Sequence, residues 1–332
     1  MHSKALPVLT LLLFACASSG SGTSIKPTEE RSEESVSVGP QFYEVRGNGA
    51  LAYLFGTVHL SDDRTKTLPA AVDAAFESSN TLYVEMKPGM IGAMQMLKLA
   101  TLPKGTSLDK LVGPEIWERV GDRYEQAGRS KDATDTMMNL APWVLLSEIA
   151  FLDIHADDAP VLDRVFSIRA EEDGKPIHGL ETVGQQLKMF TDMPLGDQAI
   201  WLGRLLDLLD EYDAEGRSMG TETLDAWAAG DAESLYGLRE QVFSTVPGDR
   251  ASMERELLWV RNERFADGID EALCAAPGDV AFVAVGAMHL PNPPEVDVAT
   301  ERSQGAPRRL GLAELLSLRG YSVKRLHPES GL

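Results

Sequence analysis

Two stretches decide how this chain reads: LAYLFGTVHL at residues 51–60 and VAFVAVGAMHL at residues 280–290. Each is an apolar run that ends on a glycine, with a histidine three residues after it and then a leucine: Gly56, His59 and Leu60, then Gly286, His289 and Leu290. Runs of this length, rich in β-branched and aromatic residues and closed by glycine, read as buried strands. Glycine at a strand's end lets the backbone turn sharply or approach a ligand closely. In open α/β sheets the carboxyl edge of the strands is where ligands bind. Two imidazoles delivered to that edge by separate strands can therefore share a site, in a chain that holds six histidines.

The surrounding pattern is that of an α/β domain. Strand-like runs on either side of Gly47-Asn48-Gly49 predict an amino-terminal hairpin, because these residues tolerate positive φ. Residues 68–79 then follow a helical period, and TLYVEM at 81–86 reads as a short strand. Strand, helix and strand in succession point to a largely parallel sheet. The middle of the chain is a large helical insertion, with apolar residues at three- and four-residue spacing in 90–101, 114–127, 134–154, 161–172, 183–192, 195–212 and 250–273. A brief strand at 175–181, a helix at 310–318 and a last strand at 321–326 complete the expectation. The fold class is α/β: a central mixed, largely parallel sheet with a hairpin, covered by helices, forming one domain over residues 41–328.

The amino terminus reads as a targeting segment. Lys4 precedes an apolar run over residues 5–15, shorter than a membrane span and the size of a signal-peptide core. It ends LFAC at 13–16, which resembles a bacterial lipoprotein cleavage box. On that reading residues 1–15 are removed, Cys16 carries lipid, and residues 16–40, rich in Ser, Gly, Thr and Glu, are a flexible tether. The competing reading is an ordinary secretory signal cut within 17–24. Lipidation implies a location in the bacterial cell envelope facing the periplasm or the exterior, and Ala17 after the cysteine leans toward the outer membrane. Cys274, left without a partner, reads as a small buried apolar residue in a helix. The formal charge of −20 gives no support to nucleic-acid binding, which needs clustered Lys and Arg.

Several side chains can carry chemistry. Two histidines with one carboxylate hold zinc, iron or manganese and leave positions open for water and substrate; the alternative is that His59 and His289 hydrogen-bond the ends of strands. Glu85 closes an apolar strand, where a charge is costly to bury unless a cation or strong donors meet it. Glu181 either joins it or, with Thr182, caps the following helix. Arg261 and Asn262 lie among apolar residues, where a guanidinium needs a carboxylate or a substrate oxygen. His178 either lines the same cleft or is a satisfied core histidine. Met86, Met90 and Met94 form one helical stripe, read either as core packing or as a malleable apolar groove for peptide. No HExxH, CxxC, GxSxG, phosphate loop or strand-linked GxGxxG is present.

With these runs go LYVEM at 82–86, GLET at 179–182 with Gln186 and Leu187 beyond, WAAGD at 227–231, the pair Arg261–Asn262 and a closing GYSV at 320–323. In this order, over residues 41–326, the chain resembles the TraB/GumN family, which includes the pheromone-shutdown protein PrgY and is related to the Tiki proteases. The resemblance implies a metal-dependent, peptidase-like hydrolase using a divalent ion (manganese, cobalt or zinc) on a peptide or protein substrate. It makes His59 and His289 ligands, Glu85 a ligand or base, and Arg261 with Asn262 the groups that orient substrate or stabilise an oxyanion. Glu181 joins the catalytic set, while Gly56, Thr57, His178 and Gly286 fall along the cleft. The alternatives are a peptide-sequestering protein without turnover and a haem- or iron-binding protein on a related fold.

Overall fold

The computed structural model describes residues 39–87, 89–152, 154 and 160–329; the segments read as signal and tether, Cys16 among them, lie outside the described residues, as does His155. Six strands form one sheet: β1 Phe42–Gly47, β2 Ala50–Thr57, β3 Thr81–Met86, β4 Ile177–Glu181, β5 Val280–Gly286 and β6 Ser322–Arg325. Their order is β4-β3-β5-β2-β1-β6. Pairs β2–β5, β5–β3 and β3–β4 are parallel, whereas β1 runs antiparallel to both β2 and β6. The hairpin turns where the sequence marks it, with φ of 54° at Asn48 and 76° at Gly49. The two glycine–histidine strands, β2 and β5, are neighbours, with Gly56 beside Val285 and Thr57 beside Gly286.

Alternation along these strands divides the core in two. Tyr53 and Phe55 of β2 and Phe282 and Ala284 of β5 face one apolar cluster, into which helix α1 (Ala70–Ser78) and the helix Leu162–Glu172 send Phe76 and Phe166. Ala52, Leu54, Ala281, Val283 and Val285 face the other, completed by Phe265, Ile269 and Leu273 of the helix Val260–Ala275 and by Leu312, Leu315 and Leu316 of the helix Leu312–Leu318. Period-two burial on both faces is what a sheet covered by helices on either side requires.

The helical insertion is present with adjustments. The stretch 134–154 is not one helix: a 3₁₀ segment, Lys131–Met137, precedes the helix Pro142–Ile149, whose first residue is a proline suited to a helix start. Residues 183–192 form two short helices, and 250–273 is continuous only through a π turn at Arg255–Trp259. Two further helices, Met219–Ala229 and Ala232–Ser244, lie outside the stretches read as helical; they meet at Gly230, with φ of 68°, and the cap Asp231.

Two burial expectations are corrected. Cys274 is exposed, near the hydroxyl of Tyr321 and the amide of Asn48, because it sits on the outer face of its helix. The methionine stripe is split: Met86 ends strand β3 and packs on the core, whereas in helix α2 (Met90–Ala100) Met90 and Met94 are 79% and 67% exposed.

Candidate functional site

The carboxyl ends of β3, β4 and β5 meet the amino-terminal part of the helix Val260–Ala275, and there the chain buries a network of charged side chains. Glu85, the fifth residue of β3, accepts the backbone N–H of Gly286 at Oε1 (2.7 Å), the Nη2 group of Arg261 at Oε2 (2.6 Å) and the Nε2 amide of Gln186 at Oε2 (3.1 Å). Arg261 also donates through Nε and Nη2 to Oε1 of Glu181 (2.8 and 2.5 Å), and Arg264 donates to its Oε2 (3.1 Å). One guanidinium thus holds two buried carboxylates. Charge-assisted bonds of this kind are what make such burial tolerable.

The π turn ends two residues before Arg261, whose Nη1 reaches back to the carbonyl of Leu257 within it (3.3 Å). Single π turns recur at functional sites. Thr182, not Glu181, caps the short helix Val183–Gln186, in a reciprocal capping box with Gln185. That helix presents Gln186 to Glu85 and leaves Glu181 to the arginines.

His289 lies in a 3₁₀ turn just past β5, with Nε2 3.6 Å from Oε1 of Glu85. Its Nδ1 meets Oδ1 of Asn262 at 2.5 Å, and the ring packs edge-on against Phe265. Asn262 is itself fully buried, and its amide nitrogen donates to the carbonyl of Leu310 (2.9 Å), which fixes the amide so that its oxygen faces the imidazole. His59 follows β2, and its Nδ1 is 3.0 Å from Oδ2 of Asp163, while Thr57 Oγ1 donates to Oδ1 of the same aspartate (2.9 Å). Both histidines are therefore held at Nδ1, and among the described residues neither Nε2 is committed to a hydrogen bond.

Their partners differ in charge, and so do the rings. Burial works against a charged His59, but Asp163 outweighs it and lifts the imidazole to about 9. Burial and then Arg261 push His289 down to about 3. Burial alone would raise the Glu85 carboxyl, yet Arg261, His289, His59 and the Gly286 N–H together hold it well below the usual carboxylate range. Burial pushes Glu181 upward even against the pull of Arg261. His59 and His289 each feel the charge of Glu85, so the three groups share one electrostatic environment.

The glycines act through backbone proximity. A Cβ on Gly56 would stand 2.8 Å from Cα of Ala287, and one on Gly286 would stand 3.2 Å from Oε1 of Glu85. Trp227 Nε1 donates to the carbonyl of Gly56 (2.8 Å), which ties the WAAGD segment to the first glycine motif.

Of the side chains singled out from sequence, His59, Glu85, Glu181, Arg261, Asn262 and His289 are brought together, with Gly56, Thr57 and Gly286 beside them. His178 is placed elsewhere: it is exposed on the edge strand β4 and stacks on Tyr83, with ring centroids 5.2 Å apart, so it is neither a core histidine nor a neighbour of the cluster. Asn262 holds an imidazole, an arrangement different from an oxyanion contact. Asp163 and Gln186 were missed as functional residues. Their sequence signals are slight: an acidic residue in a helix's first turn, and a glutamine just past a capping box.

The donor types match a set of two histidines and a carboxylate, and imidazoles gripped at Nδ1 are the usual condition of metal-ligating histidines. Among the described residues, however, no three His, Cys, Asp or Glu side chains gather closely enough to form a ready coordination shell.

Fold and site thus define a helix-covered α/β protein with a buried histidine–glutamate–arginine network at the carboxyl edge of its parallel strands. The chain belongs to the TraB/PrgY/gumN family, whose model matches residues 42–300. It is similar to two zebrafish (Danio rerio) proteins, metalloprotease TIKI2, 26% identical over 72% of this chain and 54% of that protein, and metalloprotease TIKI1, 25% identical over 74% and 58%. It is also similar to a metalloprotease TIKI homolog of Nematostella vectensis, 22% identical over 85% of this chain and 66% of that protein. The chain spans little more than half the length of the zebrafish relatives. No solved structure matches it.

Proposed function

We propose that the chain is a metal-dependent, peptidase-like hydrolase of the TraB/GumN/Tiki type, held at the bacterial cell envelope by lipid on Cys16. The observation that carries the catalytic part is that Gly286 and His289 both address Glu85 while His59, from the neighbouring strand, feels its charge, each imidazole gripped at Nδ1. The names of the Tiki relatives support a metalloprotease reading. His59, His289 and Glu85 would hold the ion, which when bound would acidify a coordinated water and polarise a carbonyl.

The other groups have roles that follow from their contacts. A carboxyl held as low as that of Glu85 is a poor proton acceptor, which favours a ligand's part over a general base's. Arg261 holds Glu85 and Glu181 in place, its donors largely spent on these two carboxylates. Asp163 and Asn262 fix the ring planes. His59, with 23% of its side chain exposed, marks the open side of an otherwise buried cluster, the side from which an extended peptide would enter.

Purified wild type and His59→Ala, loaded in parallel with manganese, cobalt or zinc, test this reading by metal analysis and by mass spectrometry of peptide mixtures. The expectation is metal in wild type, little in the variant, and cleavage only by the loaded wild type. Equal metal in the two proteins would remove the centre. Metal retention and peptide binding without any cleavage would make the chain a sequestering protein.

A further inference from the structure

Helix α2 is apolar on both sides. Its inner side, with Met96 and Leu99, packs on the core, while Met90, Ile91, Met94 and Leu97 are 79%, 76%, 67% and 52% exposed. These four are most of the large apolar side chains that the described residues leave exposed; the others, Ile200 and Leu318, lie on separate helices. Spacings of one, four and seven residues place the four along one stripe of the helix. A contiguous patch of this kind marks a contact surface rather than ordinary surface scatter.

Two further observations identify what meets it. The first is charge. Between Met86 and Leu108 the chain carries Lys87, Lys98 and Lys104, all exposed, and no Asp or Glu, in a protein whose formal charge is −20. An apolar stripe whose own stretch of chain carries lysines and no acidic residue suits an anionic lipid surface: the apolar side chains enter the acyl boundary while ammonium groups meet headgroup phosphates.

The second is where the chain leaves the fold. Phe42 pairs with Phe55, Phe55 with Ala284, and Ala284 with Val84, so the first residue of β1 stands in one row with Val84, two residues before the end of β3. Three strand spacings separate them, about 14 Å. The chain before Phe42 and the chain that enters α2 after Met86 thus depart from the same edge of the sheet. An anchor upstream of residue 39 brings that edge, and α2 with it, toward the membrane.

We propose that the outer face of α2 is a membrane-contact surface. Met90, Ile91, Met94 and Leu97 lie in the headgroup boundary of an anionic bilayer, with Lys87 and Lys98 on its phosphates. This rests on the envelope-anchored reading of the amino terminus. Anchored at one point only, the domain would swing freely; two contacts on one edge orient it and turn the charged network toward the lipid surface.

The test places a photoreactive diazirine side chain at Met94, and separately at Ile200, in the full chain expressed in a bacterium and carried into vesicles of phosphatidylethanolamine and phosphatidylglycerol. Flotation of the same samples reports anchoring on its own. After irradiation, mass spectrometry is expected to find phospholipid adducts at position 94 at least about tenfold above position 200, the margin given by burying one large apolar side chain. Introducing Lys87→Glu with Lys98→Glu is expected to cut the adducts at position 94. If the chain does not float, the anchor reading fails; the same irradiation is then performed with the vesicles added to the soluble chain, and phospholipid adducts at 94 above those at 200 still uphold the surface. Equal lipid labelling at the two positions, or adducts at 94 to peptide with none to lipid, overturns it.

Discussion

Nε2 of His289 stands 3.6 Å from Oε1 of Glu85, and that same oxygen accepts the backbone N–H of Gly286, three residues earlier in the chain. The glycine and the histidine of one motif thus address a single carboxylate oxygen, the first through its backbone and the second through its ring. This gives the spacing of the motif a physical meaning. A strand must end, deliver an N–H and turn within one 3₁₀ step for the imidazole to arrive beside the same atom.

The two motif glycines should then fail differently when filled. Gly56→Ala drives a methyl into backbone at Ala287 and is expected to lower unfolding stability by about 1–3 kcal/mol, the usual cost of overpacking. Gly286→Ala presses on the Glu85 oxygen at 3.2 Å and only touches His289 Cδ2, so it should cost less stability and more metal affinity. Urea unfolding beside metal titration separates the two; equal losses in both assays for both variants would contradict the assignment.

Arg261 carries the charge balance of the buried network. Arg261→Met leaves Glu85 and Glu181 without their shared cation and is expected to destabilise the fold by about 3–5 kcal/mol, the range for breaking a buried ion pair from one side. Returning the group to its original net charge with Glu181→Gln on the same chain should recover part of that loss. Chemical denaturation of the single and double variants measures the coupling, and strict additivity would show that the two residues do not interact.

If the site holds a metal as proposed, Asp163 and Asn262 would act on it through the rings they hold. Asp163→Ala and Asn262→Ala are each expected to weaken divalent-metal binding by about 10–100-fold, the range for losing the hydrogen-bond partner of a ligating imidazole. Calorimetric titration, with the cobalt absorption spectrum as a second readout, checks both. Unchanged affinity in either variant would reduce its residue to a packing role.

In the metal-free chain, stability should fall on both sides of a maximum near pH 6.5. The raised value of His59, about 9 against 6.5, means that its contribution is complete below 6.5 and is lost as pH climbs through 9. The lowered value of His289, about 3, means that its contribution is present above 6.5 and is lost as pH falls toward 3. Glu85, also lowered, adds to the acid limb below its unfolded value of 4.5. His59→Gln should flatten the alkaline limb alone, and His289→Gln the stretch between 6.5 and 4.5. Thermal unfolding across pH reads both, and identical profiles in the two variants would refute the division of charge.

The strands, the hairpin and most long helices were legible because their periodicity is local. The continuous apolar runs that lead into Gly56 and Gly286 need no tertiary knowledge to read. What misled was exposure. Methionine stripes usually pack inward, and only the neighbours of α2 decide which side of an apolar helix is covered; Cys274 turned outward for the same reason, its helix offering a free face there. His178 stands on an edge strand, and strand order is a property of the whole sheet.

The sequence by itself determined that two imidazoles and a glutamate arrive at the carboxyl ends of parallel strands, since strand period, glycine position and motif spacing are written along the chain. Only the tertiary structure decided that Asp163 meets one ring and Asn262 the other, and that one guanidinium spans Glu85 and Glu181. These pairings join residues far apart in the chain through the packing of helices on a sheet, and no local pattern encodes the partner of a buried charge.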